Sequence, residues 1–293
     1  MKPFGWAALS AFPLLAAFAA FAAIAGLAAF GSWRWGQATR VLVARLDAAR
    51  EVPTAVRYDA RETLGLPEPV RRYFRAVLTD GQPMILTADF EHVGTFDMGE
   101  AVASWKPFTS RQRVTTSPPG FVWDGRIALL PGVPAHVHDA YVAGEGLLRP
   151  SILGLYAMGG LQGGGPIAQG ELLRFFAEAP WYPTSLLPSQ GIAWRAVDES
   201  SATATLTDGA LAATVLVRFG EDGLIASMSA EGRGRAMVGG VMTMTPWEGR
   251  LSGYRTVDGM RAPFAGEALW RRPKGDKPYF RATITALAHE LAP

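Results

Sequence analysis

Glu171, Arg174 and Glu178 are spaced i, i+3, i+7 in the segment QGELLRFFAEAPWYPTSLLPS, so on a helix the three charges share one face. Leu172, Leu173, Phe175, Phe176 and Ala177 cover most of the remaining surface, which predicts a helix enclosed by other structure. Enclosed charges must be paired, because an unpaired charge away from water is costly. Three readings of the stripe follow: a Glu–Arg–Glu network pinning the helix to a sheet, a polar cluster lining a pocket, or a solvated helix face. As an acid–base pair the two carboxylates are poorly tuned. They lie about two turns apart with an arginine between them, which favours keeping both ionised.

Other reactive groups are sparse. The chain has no cysteine, which excludes a thiol nucleophile, disulfides and thiolate zinc sites. Its histidines are His92, His136, His138 and His289, few candidates for a general base. On a strand His136 and His138 project to one side as two imidazole ligands would, but Asp139 points away and no HExxH-like third ligand accompanies them. A solvated strand face is the plainer reading, and neither metal nor cofactor is expected. Ser185 lacks a Gly-x-Ser-x-Gly elbow, and no catalytic residue is assigned. The glycines from Gly159 to Gly165 lack the strand, helix and Lys-Ser/Thr context of a phosphate cradle and read as a mobile connector. With 28 basic and 26 acidic residues the net charge is only +2, so nothing points to nucleic acid.

The elements that must position these residues begin with an apolar run. Trp6 to Phe30 spans 25 positions without a charged side chain. As a helix it reaches roughly 37 Å, enough for a hydrocarbon core of about 30 Å, and Trp6, Trp33 and Trp35 at its ends suit the headgroup level. Pro13 predicts a kink. A cleaved secretory signal is the competing reading, with Lys2 before the run and Ala23-Ile24-Ala25 as a cleavage-like site; such signals have apolar cores of about 7–15 residues. Arg34, Arg40, Arg45 and Arg50 follow the run, against Lys2 before it. That count favours a cytoplasmic body, although large domains translocate regardless of it.

Gln37 to Glu51 has helical spacing and continues from the span until Pro53. In LPEPVRRYFRAVL, Val70, Tyr73, Phe74, Val77 and Leu78 form one apolar helical stripe. Beyond Asp80 the pattern becomes extended. Candidate strands include Met84–Phe96, Ala101–Trp105, Ser110–Thr116, Phe121–Leu130 and Ala135–Ala143. After the enclosed helix they run from Ile192–Asp198 to Tyr279–His289, with Asp208-Gly209 and Asp258-Gly259 as hairpin turns. The chain divides into a tail and transmembrane helix (1–33), juxtamembrane and amphipathic helices (34–80), and an antiparallel β domain (81–293) with an inserted helix near 169–187.

LPEPVRRYFRAVL, SWKPFTSRQR, SPPGFVWDGRI, DAYVAGEG, GELLRFFAEAPWYPTSLLPS, SATATLTDG and YRTVDGMRAPFAGEALW, in that order, resemble a bacterial family of membrane-associated proteins of unassigned function. The resemblance covers Leu66 to the C-terminus and implies no reaction, substrate or cofactor. The strand-rich pattern, with its Tyr-Arg-x-x-x-Gly-x-Arg hairpin, also looks like the half-barrel of periplasmic lipoprotein and lipid carriers. With the apolar run before it, this gives a mainly β (α+β) chain: an N-terminal transmembrane helix, then a curved antiparallel sheet or half-barrel wrapped around a short helix. Trp123, Phe175, Phe176, Trp181, Tyr182, Trp247 and Trp270 could line its concave side, or simply fill the core.

The resulting expectation is a single-pass membrane protein that meets the bilayer through Trp6 to Phe30 and binds a lipid-like or other apolar ligand. Trp123, Asp139, Glu171, Arg174, Phe175, Glu178 and Trp181 are the binding candidates. The carrier-like architecture, against the arginine count, places the soluble part outside the cytoplasm. An enzyme acting on a membrane-proximal substrate, with Glu171, Arg174, Glu178 and Asp139 as its polar centre, is the alternative.

Overall fold

A computed structural model describes residues 7–51, 53–238 and 241–293. Its first element, α1 (Ala7–Ala48), runs unbroken through Pro13, and from Leu15 to Ala48 it is long and apolar enough to cross a membrane. Trp6, the expected start of the span, lies outside the described residues. Leu15, Phe18, Phe21, Ile24, Leu27 and Phe30 stand 52–71% exposed, so this part of α1 offers its side chains to the surroundings and not to the protein. At Gly31 the environment changes. Trp35, Leu42 and Leu46 are buried against the sheet, and Trp35, expected at the headgroup level, is only 6% exposed while Trp33 remains 59% exposed.

The helical stripe of the second expected helix forms α2 (Glu68–Val77), preceded by a 3-10 turn at Ala60–Thr63. Val70, Tyr73, Phe74, Val77 and Leu78 are all buried. The strands then follow as β1 (Ile85–Asp97), β2 (Trp105–Thr115), β3 (Gly120–Leu130), β4 (Val133–Val142), β5 (Glu145–Ile152), β6 (Tyr156–Ala157) and β7 (Leu161–Gly163). The enclosed helix is α3 (Gly165–Ala177), and three 3-10 turns continue it between Ala179 and Gln190. The second series is β8 (Ala193–Asp198), β9 (Ser201–Asp208), β10 (Leu211–Phe219), β11 (Ile225–Val238), β12 (Val241–Ser252), β13 (Arg255–Val257), β14 (Met260–Ala262), β15 (Ala265–Trp270) and β16 (Lys277–Leu291).

Among the departures from the sequence reading are two stretches of the first series. Ala101–Ser104 is a turn, because Asp97 Oδ1 accepts the backbone N–H groups of Gly99 (2.9 Å) and Ser104 (2.6 Å) and folds the chain before β2 begins. The segment 145–163 carries three strands, where only a glycine-rich connector was expected at its end. The β4–β5 turn places Ala143 and Gly144 at φ 51° and 80°, a left-handed pair whose alanine hides the turn from a search for Asn-Gly or Asp-Gly.

Fourteen strands form one antiparallel sheet in the order β6-β5-β4-β3-β2-β1-β16-β15-β12-β11-β10-β9-β8, with β7 beside β5; β13 and β14 pair separately. The sheet does not close: β6 and β8 lie at opposite ends of the order. First and last strands pair near its middle. Its two arms, β3 to β5 on one side and β10 to β11 on the other, both pack on α3, so the sheet curves around that helix. The large side chains between them, including Phe90, Phe121, Phe175, Phe176 and Tyr182, form one continuous core.

Candidate functional site

Strand alternation delivers the site. On β2, Phe108, Ser110, Gln112 and Val114 are buried, so a glutamine stands in an otherwise apolar or small inward row. Gln112 Oε1 accepts from Arg174 Nη2 at 3.2 Å, while its Nε2 donates to Glu178 Oε2 at 2.5 Å. Arg174 Nε donates to Glu178 Oε1 at 2.9 Å, and Nη1 bonds Asp139 Oδ2 of β4. The guanidinium also lies over Phe121 and Trp123, 4.9 and 5.1 Å from the ring centroids. With side chains only 13–16% exposed, Arg174, Asp139 and Glu178 form a largely buried clamp. Burial alone would lower the arginine's pKa; Glu178, Asp139 and Glu171 outweigh it and raise it.

Glu171 sits behind this clamp, 9% exposed. Its Oε2 and Asp139 Oδ1 are both buried, and as two carboxylates neither has a partner. A proton on Glu171 turns them into donor and acceptor. Burial, then the Asp139 carboxylate, pushes the Glu171 carboxyl well above the usual range, only partly opposed by Arg233 and Arg174.

Beside the clamp opens a half-enclosed cavity of about 160 Å³. Asp139, Arg174, Glu178, Trp123 and Trp181 of the expected residues line it; Glu171 and Phe175 do not. Phe175 packs instead on Tyr182 with centroids 5.3 Å apart, and Phe176 and Tyr182 are core residues. Trp181 is fixed by its Nε1 donating to Pro263 O at 2.7 Å. Trp247 joins the lining, whereas Trp270 lies behind it, stacked on Tyr279.

Trp123 and Trp247 share a local device that the sequence reading missed, Trp-acid-Gly-Arg at 123–126 and again at 247–250. A strand returns to the same face after two residues, so each indole lies along its strand over the following glycine. A Cβ on Gly125 would meet the Trp123 ring at 2.0 Å, and one on Gly249 the Trp247 ring at 2.8 Å. The acid between faces the other way. Asp124 accepts from α1, and Glu248 pairs with Arg250 and Arg271.

Two further cavity residues had no sequence signal beyond their strand. Arg233 stands in β11 between two irregularities of its pairing with β12, where local twist re-aims side chains. Its Nη1 donates to Tyr279 Oη at 3.0 Å, and Trp247 Nε1 donates to the same oxygen at 2.9 Å. Arg233 also lies 5.6 Å from the Trp247 centroid.

His136 and His138 are not on a solvated face. They lie on the sheet's other side beneath Trp35, whose ring centroid is 5.3 Å from that of His136 and 3.8 Å from that of His138. Among the described residues no three His, Cys, Asp or Glu gather as a metal site would need. Ser185 Oγ donates to Tyr182 O at 2.9 Å, a backbone tie inside the core.

Fold and site together define a mainly β protein: an open, curved antiparallel sheet wrapped around a short helix, with a charged clamp beside an aromatic cavity and a long apolar helix in front. The chain belongs to a family of unknown function, DUF6920, whose model matches residues 64–289. No curated protein matches it. Solved structures similar to it include a LolA superfamily protein from Nitrosomonas europaea, 6% identical over 77% of this chain and 93% of that one, with a TM-score of 0.34. A DUF1329 family protein from Desulfovibrio piger is 8% identical over 70% and 86%, with a TM-score of 0.37. A beta-barrel-like DUF1849 protein from Brucella abortus is 10% identical over 71% and 99%, with a TM-score of 0.21.

Proposed function

We propose that this protein is anchored in a membrane by α1 and binds a lipid-like, apolar ligand between α3 and the sheet. The cavity carries the reading: Trp123, Trp181, Trp247, Ile127 and Leu148 give it a predominantly apolar wall, open on one side. Size limits what it encloses. An apolar cavity of about 150 Å³ holds one benzene, so a cavity of this class takes one end of a chain and leaves the remainder along its open side. The exposed apolar side chains of α1 up to Phe30 support the anchor.

The soluble part lies outside the cytoplasm in this proposal. Three of the four arginines after the span, which a bare count would assign to the cytoplasm, have partners in the sheet or its turns. Arg34 donates to Gly154 O and Leu155 O, Arg45 meets Glu145, and Arg50 pairs with Glu290. The presence of these three therefore has a cause other than topology. Reporter fusions after Gly81 test orientation: active alkaline phosphatase there supports it, and an active cytoplasmic reporter overturns it.

Native mass spectrometry of the full chain released from nanodiscs tests the binding itself. A one-to-one lipid adduct that is lost when Ala268→Phe fills the cavity supports the reading. An adduct equally retained by that variant assigns the lipid to α1 alone.

A further inference from the structure

Two polar residues of the cavity wall, Arg233 and Tyr279, are left with hydrogen-bond donors to spare. Tyr279 Oη already accepts from both Arg233 Nη1 (3.0 Å) and Trp247 Nε1 (2.9 Å), which occupies its lone pairs and leaves its own proton to give. Arg233 uses one of its five N–H donors on Tyr279 and forms no ion pair with a described residue. Both Arg233 and Tyr279 line the cavity, and Arg233 also borders a second groove lined by Gln169, Arg218 and Glu231. Stacking on Trp270, with centroids 5.2 Å apart, and edge contact with Phe96 hold the Tyr279 ring in place.

Among the described residues no acid makes an ion pair with this arginine: Asp139 and Glu178 both contact Arg174, and Glu171 and Asp139 reach Arg233 only through their fields. A guanidinium with N–H groups to spare and a phenol proton, side by side in the wall of an apolar cavity, match an oxyanion.

Resting on the binding function proposed above, we infer that Arg233 and Tyr279 form a headgroup subsite for the anionic end of a single-chain amphiphile. The ligand is thus an alkyl chain ending in a carboxylate or phosphate, with its head in the cavity and its tail along the open side. Two anionic oxygens meet the guanidinium fork, and the phenol proton adds a third contact.

The test uses the full chain in phosphatidylcholine nanodiscs with a diazirine-bearing hexadecanol as photolabel, read at peptides containing Trp123 and Trp247. Hexadecanol, hexadecanoate and hexadecyl phosphate compete, each expressed as mole fraction in the disc. An anionic competitor should displace the label at about tenfold lower mole fraction than hexadecanol, the scale of one charge-assisted contact pair. Whichever anion is stronger names the headgroup. In Arg233→Gln the anionic advantage should vanish while hexadecanol competes as before, and Arg233→Lys should keep part of it. Equal competition by acid, phosphate and alcohol in the unaltered chain overturns the headgroup subsite while leaving apolar binding intact, and this arm needs no folded variant. Undiminished preference in Arg233→Gln overturns the role of that residue. Absence of label from the cavity peptides overturns both readings.

Discussion

The indole of Trp35 stacks on the imidazole of His138, with centroids 3.8 Å apart and planes inclined by 14°. Trp35 Nε1 and Thr39 Oγ1 meet the two oxygens of Asp124, both at 2.9 Å, and Thr39 Oγ1 lies 2.8 Å from His138 Nε2. A hydroxyl has one proton, and the carboxylate only accepts. Thr39 therefore shares its proton between Asp124 Oδ2 and the Trp35 carbonyl 3.2 Å away, neither of which can donate, and receives Nε2–H from a neutral His138. The next residue on β4 is Asp139, pointing inward to Arg174. Two adjacent residues of one strand thus join the apolar helix to the cavity wall.

Cutting this link should free the helix and loosen the strand. Trp35→Ala removes a buried indole, a change that costs about 3–5 kcal/mol in a well-packed site. Hydrogen exchange of the full chain in nanodiscs should show lost protection in β3 and β4, with α2 unchanged. Gly31→Ala tests the same docking from the other end. A Cβ there would lie 2.1 Å from Leu153 O, so the turn at Leu153–Leu155 must move. Unchanged exchange in both variants would mean that α1 is not docked in solution.

Acid should weaken the same contact. Burial lowers the His138 pKa from 6.5 to about 4, with Asp124 opposing and Arg149 and His136 adding to the shift; burial also lowers His92 to about 3 and depresses His136. The unfolded chain takes up these protons near pH 6.5, and the folded chain only further down. Stability is therefore complete above 6.5 and falls as the pH drops toward 4. Between pH 7.5 and 5 the transition temperature of the full chain should fall relative to that of His138→Gln, a difference from which the opposite effect of Glu171 cancels. A difference constant over that range would contradict it.

Glu171 should act in the opposite sense. Its pKa is raised on folding, so the proton it keeps favours the folded state below the ordinary value of 4.5, and this contribution is lost as the pH rises. Glu171→Gln retains the neutral shape without titrating. It should gain stability over the unaltered chain as the pH goes from 5 to 8. A gap that narrows over that range would show that Glu171 is ionised in the folded protein.

Arg174 carries the clamp. Arg174→Ala leaves Asp139 and Glu178 without their cation and should destabilise the protein by about 3–5 kcal/mol, as breaking a buried pair does. A solvated stripe would lose about 0–1 kcal/mol. Chemical denaturation of the full chain in nanodiscs separates the two.

The fold was legible where periodicity is strong. α2 declared itself through one apolar stripe, and Asp208-Gly209 and Asp258-Gly259 marked their turns; the latter pair adopts φ 50° and 79°. β5 was not, because its entry turn uses Ala143 and its exit runs into glycines. At the site, Glu171, Arg174 and Glu178 were visible from helical spacing, but their partner Gln112 and the separate pair Arg233 and Tyr279 come from strands distant in sequence. Gln112 could have been found: it falls on the inward alternation with Phe108 and Val114. Arg233 could not, because irregular pairing around it breaks the period that would say which way it points. Trp35 misled, since an aromatic at the end of a span suits both the headgroup level and a docking contact.

Photolabelling with the diazirine-bearing hexadecanol, mapped by peptide mass spectrometry on the full chain in nanodiscs, tests apolar binding in the cavity most directly. The account predicts label on peptides holding Trp123, Trp181 and Trp247, beyond whatever marks α1, and its loss from those peptides in Ala268→Phe, which fills the cavity from β15. Label confined to α1, or cavity label that Ala268→Phe leaves unchanged, would contradict the claim that a ligand binds between α3 and the sheet.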